Sequence, residues 1–252
     1  MLRRMLLVTA LALPLSAAGR ILIVADEVPA MEILAAKIKA ATGAESTIVV
    51  QTEIPADFAS YPVLIVYVHK NIVEPAELKF IEFARQGGKL ILLHHSISSG
   101  KRQNKQWFPF LGIELPTAPF EQGGYKYYEG IRLEVVNLAA GHPVTTNKVV
   151  YDRQVEFEGK SYPGFELDDT EVYLNHRHTT PKTQLLGLKF ADAKTGKLFE
   201  QRTAGWFERA GKGSVFYFMA GHSKADFENP AYSQIVINAT TYPGAPARSR
   251  RP

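Results

Sequence analysis

The stretch Gly87-Gly88-Lys89-Leu90-Ile91-Leu92-Leu93-His94-His95 decides the reading of the fold. A glycine pair stops the preceding helix, a short apolar run follows, and the run ends in two imidazoles. An apolar run without alternation suits a strand covered on both faces, and such strands belong to parallel sheets flanked by helices. Upstream, Pro75 opens a helix whose Leu78, Ile81 and Ala84 form one stripe. Residues 62–68 are a second nearly unbroken apolar run, with shorter ones at 48–50 and 21–24. Asp26, Glu27 and Pro29 suit a first helical turn, and Met31, Leu34, Ile38 and Ala41 then recur at helical spacing until Gly43. The order β-α-β-β-α-β predicts a mostly parallel sheet with helices on both sides.

Beyond residue 125 the pattern changes to strand-like segments at 131–136, 172–175, 185–190, 198–208 and 214–220. Lys194-Thr195-Gly196-Lys197 and Ala210-Gly211-Lys212-Gly213 supply hairpin turns between the last three. A helix over 230–241 closes the chain. The expected class is α/β, with a parallel core and a longer antiparallel extension.

The 252 residues are 46% hydrophobic and 21% charged, as in an ordinary globular domain. The formal charge of +4 would suggest nucleic acid, but Arg3, Arg4, Arg248, Arg250 and Arg251 lie at the ends, leaving 24 basic residues against 25 acidic ones between them. No basic stripe is left to neutralise phosphates, so nucleic acid is not an expected partner. The absence of cysteine excludes disulfides, thiolate metal ligands and a cysteine nucleophile.

Residues 1–18 read as a secretory signal: Arg3 and Arg4, an apolar run from Met5 to Leu15, then Ser16-Ala17-Ala18 as a cleavage site. The run is shorter than the ~20 residues that span a bilayer, so no membrane span is expected after cleavage. Export without cysteine points to a periplasmic or secreted protein. Residues 19–243 form the expected domain, and the basic tail 244–252 is expected to be disordered.

In open parallel sheets, ligands bind beyond the carboxyl ends of the strands. Here those ends carry His69, the pair His94-His95 and His222. Alternation along an extended chain would let only one of His94 and His95 reach a given pocket. A single imidazole at a sheet edge is readily explained by a hydrogen bond to a carbonyl. Several at one rim suit acid–base work or metal ligation. Ser96 lacks the small neighbours of a nucleophile elbow, since His94 and Ser98 flank it at those positions. Gly123-Gly124 followed by Tyr125, Tyr127 and Tyr128 reads as a flexible aromatic loop able to stack on a sugar ring, or equally as packing.

Taken together, these segments resemble the ThuA-like, or trehalose-utilisation, family, a class I glutamine amidotransferase-like variant of the flavodoxin-like three-layer fold. The resemblance runs from about residue 20 to 242. Residues 87–95 are similar to the family's glycine pair, strand and histidine, and Gly141-His142-Pro143-Val144-Thr145 to its His-Pro-Ile-Thr segment. Thr170-Glu171-Val172-Tyr173 is similar to its Asp-Glu-x-Tyr, with Thr170 replacing the acidic residue. Ala204-Gly205-Trp206, residues 211–217 and Gly221-His222 resemble its carboxyl-terminal signature, although Ala239-Thr240-Thr241-Tyr242 replaces a Trp-Ala ending. The resemblance implies carbohydrate metabolism, including disaccharides and 3-keto sugar derivatives. A cysteine-dependent glutaminase is excluded, because His94 or His95 takes the place of that cysteine.

The expected function is an exported sugar-active enzyme, a hydrolase or lyase, with His94, His95, His142, Glu171 and His222 as its catalytic set. Tyr125, Tyr127 and Trp206 are the expected substrate contacts, and a small-molecule carbohydrate the expected partner. Imidazole and carboxylate together also suit a divalent metal such as zinc. The alternative is a non-catalytic carbohydrate-binding or accessory protein, in which the aromatic residues matter more than the histidines. Nothing in the sequence points to a subunit interface.

Overall fold

A computed structural model describes residues 19–57 and 60–243; the expected signal segment 1–18 and tail 244–252 lie outside the described residues. The first half contains β1 (Arg20–Ala25), α1 (Val28–Thr42), β2 (Glu45–Val49), β3 (Val63–Tyr67), α2 (Glu74–Gln86) and β4 (Lys89–Leu93). There follow α3 (Trp107–Leu111), β5 (Ile113–Glu114), β6 (Lys126–Asn137), α4 (Pro143–Thr146), β7 (Arg153–Phe157) and β8 (Lys160–Leu174). The chain ends with β9 (Arg177–His178), β10 (Thr183–Ala191), β11 (Leu198–Ala210), β12 (Gly213–Phe218), α5 (Lys224–Glu228) and α6 (Pro230–Thr241).

Ten strands form one sheet in the order β2-β1-β3-β4-β12-β11-β10-β6-β8-β7, and β5 pairs with β9 in a small ribbon. The first five strands of that order are mutually parallel. They follow the flavodoxin-like 2-1-3-4-5 arrangement, with the strand from the far end of the chain taking fifth place. The remaining five are antiparallel. The apolar run that opened the sequence reading is β4, flanked in parallel by β3 and β12, and Leu90 to Leu93 are all fully buried. The two predicted hairpins join β10 to β11 and β11 to β12. Strand β7 was not anticipated, because its Arg-Gln-Val-Glu-Phe is half polar and covers only an outer edge.

Burial of apolar surface is what holds these layers together, at roughly 25 cal/mol per Å². One apolar core runs through both halves, from Leu22 and Val66 to Leu188 and Phe207. A satellite of Val136, Val155 and Phe157 sits under the far edge. No helix among the described residues is long and apolar enough to cross a membrane.

Strands β6 and β8 set the shape of the site. Strand β10 pairs with β6 only from Glu134 to Asn137, whereas β6 and β8 stay paired from Val136–Gly164 out to Lys126–Leu174. Their outer half is thus a two-stranded ribbon that leaves the sheet. Register shifts between Tyr128 and Leu133, with Gly130 and Asp169 at positive φ, bend it. The bend carries Glu171 and Tyr173 over the ends of β4 and β12, where Tyr173 N–H reaches the Met219 sulfur at 3.4 Å.

Candidate functional site

The chain does not stay extended after β4. His94 takes φ 37, and residues His94–Ile97 form a single 3-10 turn. That turn overrides the alternation expected of a strand, so both imidazoles face the same side, with ring centroids 4.2 Å apart. A non-glycine residue at positive φ costs on the order of 1–3 kcal/mol and persists only where its surroundings dictate it. Here they do. Trp107 Nε1 donates to the Ser96 carbonyl (2.7 Å), and the Tyr217 hydroxyl donates to the His94 carbonyl (3.1 Å). The Ser96 hydroxyl lies 2.9 Å from the Leu93 carbonyl and 3.0 Å from that of Val66, so it is a buried turn fastener and not a nucleophile.

His222 is set by a second tight turn. Gly221 has φ 108, and a Cβ there would lie 2.7 Å from the Tyr232 hydroxyl, so only glycine fits. Buried Asp226 closes the turn: its Oδ2 accepts from Gly221 N–H (3.0 Å), His222 N–H (2.8 Å) and the Thr170 hydroxyl (2.7 Å). Thr170, which replaces an acidic residue of the family pattern, therefore supports this carboxylate from below.

The side chains so placed form one knot. Glu171 Oε2 lies 3.1 Å from His94 Nε2 and 3.1 Å from His222 Nδ1, and those two nitrogens are 3.2 Å apart. The Tyr173 hydroxyl is 2.8 Å from His95 Nδ1 and 3.3 Å from both His94 Nε2 and Glu171 Oε2. His94 Nδ1 donates to the Met219 carbonyl on the far side of its ring. His94, His95, Glu171 and His222 each offer a ligand atom within 4.8 Å of the others, and Glu27, His69 and His95 form a second such group. His69 stacks on His95 at 4.0 Å and 8°, and its Nδ1 meets Glu27 Oε1 at 3.1 Å.

These contacts set the protonation pattern. Burial alone would raise the Glu171 carboxyl, but hydrogen bonds from His222 and His94 outweigh it and hold the group well below the usual carboxylate range. The Glu171 hydrogen bond in turn raises His222 against the opposing effect of burial. His95 is driven down to about 2, first by burial and then by neighbouring His94 and His69, so it is neutral at every working pH. One imidazole made more basic by its carboxylate neighbour thus sits beside one made far less basic by burial.

Beneath the knot, Lys101 is fully buried and makes no ion pair among the described residues. Its Nζ donates to the carbonyls of Val68 and His69, both at 2.7 Å, which fixes the turn carrying His69. Burial lowers it to about 7, partly offset by Asp26. Between that value and the ordinary 10.5 the unfolded chain holds a proton that the folded one has released, so this lysine makes stability rise with pH across the window. Melting temperatures of wild type and Lys101→Met, compared from pH 7 to 9.5, should show a steeper upward trend in wild type. Parallel curves would contradict this account.

The knot opens onto a cleft of ≈ 280 Å³ lined by Ser98, Ser99, Tyr125, Tyr127 and Glu129. The aromatic loop before it is closed rather than free: Gly123, Gly124 and Tyr125 N–H donate to the carbonyls of Phe120, Pro119 and Pro116. A Cβ on Gly124 would fall 1.6 Å from the Ala118 carbonyl oxygen. Gly124→Ala should therefore push Tyr125 out of place, at a cost of about 1–3 kcal/mol in stability. Steady-state kinetics should show KM rising more than kcat falls, and an unchanged KM would exclude Tyr125 as a substrate contact.

Several sequence expectations are corrected by position. His142 caps α4, with its Nδ1 accepting from Val144 N–H (3.2 Å), and its ring stacks on Tyr242 at 5.0 Å just beyond α6. That end of α6 adjoins the start of β4, where Lys89 Nζ reaches the Thr240 carbonyl, whereas His94 follows the end of β4. His142 therefore lies a strand's length from the knot. Trp206 is fully buried on β11 against Tyr217 and under Lys182, and cannot touch a ligand in the cleft. Tyr128 turns inward onto Phe190 and Phe199. Sequence reasoning also omitted Glu27 and Tyr173. The strand-end rule that found His69 would have found Glu27 after β1, and Tyr173 shares a strand face with Glu171 two residues away.

Among solved structures, a ThuA-like protein from Parabacteroides merdae is similar at 12% identity, with 89% of each chain covered and a TM-score of 0.64. One from Bacteroides uniformis is similar at 15% identity, covering 92% of this chain and 94% of that one, with a TM-score of 0.61. A β-galactosidase from Rahnella is 13% identical over 89% of this chain but only 31% of its own, with a TM-score of 0.54. At these identities the likeness is one of fold. No curated protein sequence matches the chain. The family model for trehalose utilisation, ThuA, matches residues 22–243, which contain the sheet, the knot and the cleft alike, and the chain belongs to that carbohydrate-related family.

Proposed function

We propose that the chain is a carbohydrate-active enzyme, acting on a glycoside or an oxidised sugar such as a 3-keto derivative, with its chemistry in the knot of His94, His95, Glu171 and His222. The observation that carries this reading is the meeting of these groups from β4, β8 and the β12–α5 turn at the mouth of one tyrosine-bearing cleft. His222 is the working acid–base group. Its side chain is 33% exposed, against 0% for His94 and 3% for His95, so of the three it presents the most surface to the cleft, and it is hydrogen-bonded to Glu171. In a 3-keto sugar the carbonyl acidifies the proton on the neighbouring carbon. His222 takes that proton, and a double bond forms between that carbon and the anomeric carbon as the bond to the leaving oxygen breaks. The proton passes from His222 to that oxygen, releasing an alcohol and an unsaturated ketone. Residues 1–18 support a place for this enzyme outside the cytoplasm, which fractionation of the native host would test.

Turnover across a panel of glycosides and their 3-keto derivatives tests the reading. Wild type should convert at least one, and His94→Ala, His95→Ala and His222→Ala should each lower kcat, by about 10²–10⁴-fold for His222. Undiminished turnover in all three would remove the chemistry from this site. Saturable sugar binding without product would make the chain a binding module instead.

A further inference from the structure

We infer that His94 Nε2, His222 Nδ1 and Glu171 Oε2 are the protein ligands of one divalent metal ion of the zinc class, with its open coordination position toward the cleft. This deepens the reading above and rests on it only for the identity of the substrate: the His222–Glu171 pair that carries a proton belongs to the metal-free protein, and with the ion bound a water polarised at its open position would take the substrate proton instead.

The first argument is geometric. The three atoms form a nearly equilateral triangle with sides of 3.1, 3.1 and 3.2 Å. Donors placed about 2.0–2.1 Å from a tetrahedral zinc ion lie roughly 3.3 Å from one another. The triangle is therefore one face of such a ligand shell.

The second argument counts protons. The Met219 carbonyl can only accept, so His94 Nδ1 carries a ring hydrogen, and Nε2 presents a lone pair unless a second proton, the donor of the Glu171 hydrogen bond described above, occupies it. That lone pair faces a carboxylate oxygen at 3.1 Å. A proton or a metal ion must lie between them, because two lone pairs at that distance repel. The hydrogen on His222 Nδ1 serves one edge of the triangle at a time. The Tyr173 hydrogen has a nearer acceptor in His95 Nδ1 at 2.8 Å. A single cation above the triangle satisfies all three atoms at once.

The surroundings of His94 match what a metal-binding histidine requires. A ligating imidazole almost always donates its other N–H to a carbonyl or carboxylate, which fixes tautomer and ring orientation. Met219 does this for His94, and Asp226 holds the backbone that presents His222. Two imidazoles and one carboxylate with a free position form the donor set of catalytic rather than structural zinc. In the cleft, that position suits the adjacent carbonyl and hydroxyl oxygens of an oxidised sugar, which the ion would polarise.

The test is direct titration of chelator-treated, full-length protein with Zn²⁺ by calorimetry, in the absence of any sugar. The expected result is one equivalent bound with Kd below about 1 µM, weakened by about 100-fold or more in Glu171→Gln and in His222→Ala. His142→Asn, which keeps a capping side chain far from the knot, should bind as wild type does. Circular dichroism confirms that each variant is folded, and the near-isosteric Glu171→Gln keeps the test valid should His222→Ala misfold. Millimolar or non-stoichiometric binding, or affinity unchanged in folded Glu171→Gln, overturns the inference. Stoichiometric zinc without turnover of any sugar would leave the metal centre standing and sink the enzymatic reading; turnover undiminished after chelation, with no tight binding, would do the reverse.

Discussion

Replacing Asp226 with alanine is expected to destabilise the protein by roughly 3 kcal/mol or more and to abolish the site together with it. The carboxylate is 1% exposed, and its Oδ2 is the common acceptor for two backbone N–H groups and the Thr170 hydroxyl. Each donor left buried and unpaired costs about 1–3 kcal/mol, which is more than the net worth of the hydrogen bond it made. The strained turn at Gly221 then has nothing to hold it, and His222 moves off Glu171. Asp226→Asn retains one acceptor oxygen and should lose less, while Thr170→Val, which removes a single donor and keeps the shape, should lose about 1 kcal/mol. Denaturant midpoints of the three variants check the ranking. A wild-type midpoint for Asp226→Ala would mean that the β12–α5 turn is held by something else.

Glu171→Gln is expected to lower kcat by about 10²–10⁴-fold while leaving the protein folded. The amide matches the carboxyl in shape but cannot hold the proton on His222, whose upward shift comes first from the Glu171 hydrogen bond. Because His222 acts as the base and must be unprotonated to do so, the acidic limb of the pH–rate profile should move to lower pH in the variant. The pair also leaves a stability signature. The lowered carboxyl contributes stability that is complete above its ordinary value of 4.5 and is lost as pH falls through the folded value. The raised imidazole contributes stability that is complete below its ordinary value of 6.5 and is lost as pH rises through the folded value. The stability difference between wild type and Glu171→Gln should thus be greatest between those two values and shrink on either side. A difference that does not vary with pH would show that the ion pair does not exist in solution.

How much of this was legible beforehand depends on which physical rule each residue obeyed. Strand β4 and its neighbours announced themselves, because a doubly covered strand must be apolar throughout and the glycines at 87 and 88 must end a helix. The gathering of His69, His94, His95 and His222 followed from the same rule, since parallel strands deliver their ends to one rim. The orientation of His94 and His95 was misjudged because alternation holds only while the chain stays extended, and the φ of 37 at His94 arises from contacts with Trp107 and Tyr217 that local sequence does not encode. His142 and Trp206 were assigned by family motif. A motif records which residues recur and says nothing of where the sheet puts them. The arch of β6 and β8, which brings Glu171 to the histidines, depends on where pairing with β10 stops, a tertiary matter invisible in either strand alone.

The insertion of β12 between β4 and β11 also bears on how the chain is born. During synthesis β4 emerges early with one hydrogen-bonding edge unpaired, and its partner follows only after the whole antiparallel half has left the ribosome. Pairing across so long a loop is slow, and an apolar open edge invites association with other nascent chains in the meantime. Since His222 follows β12 directly, the pocket is completed by the same late event that seals that edge, and any chain able to work has already passed its most aggregation-prone stage.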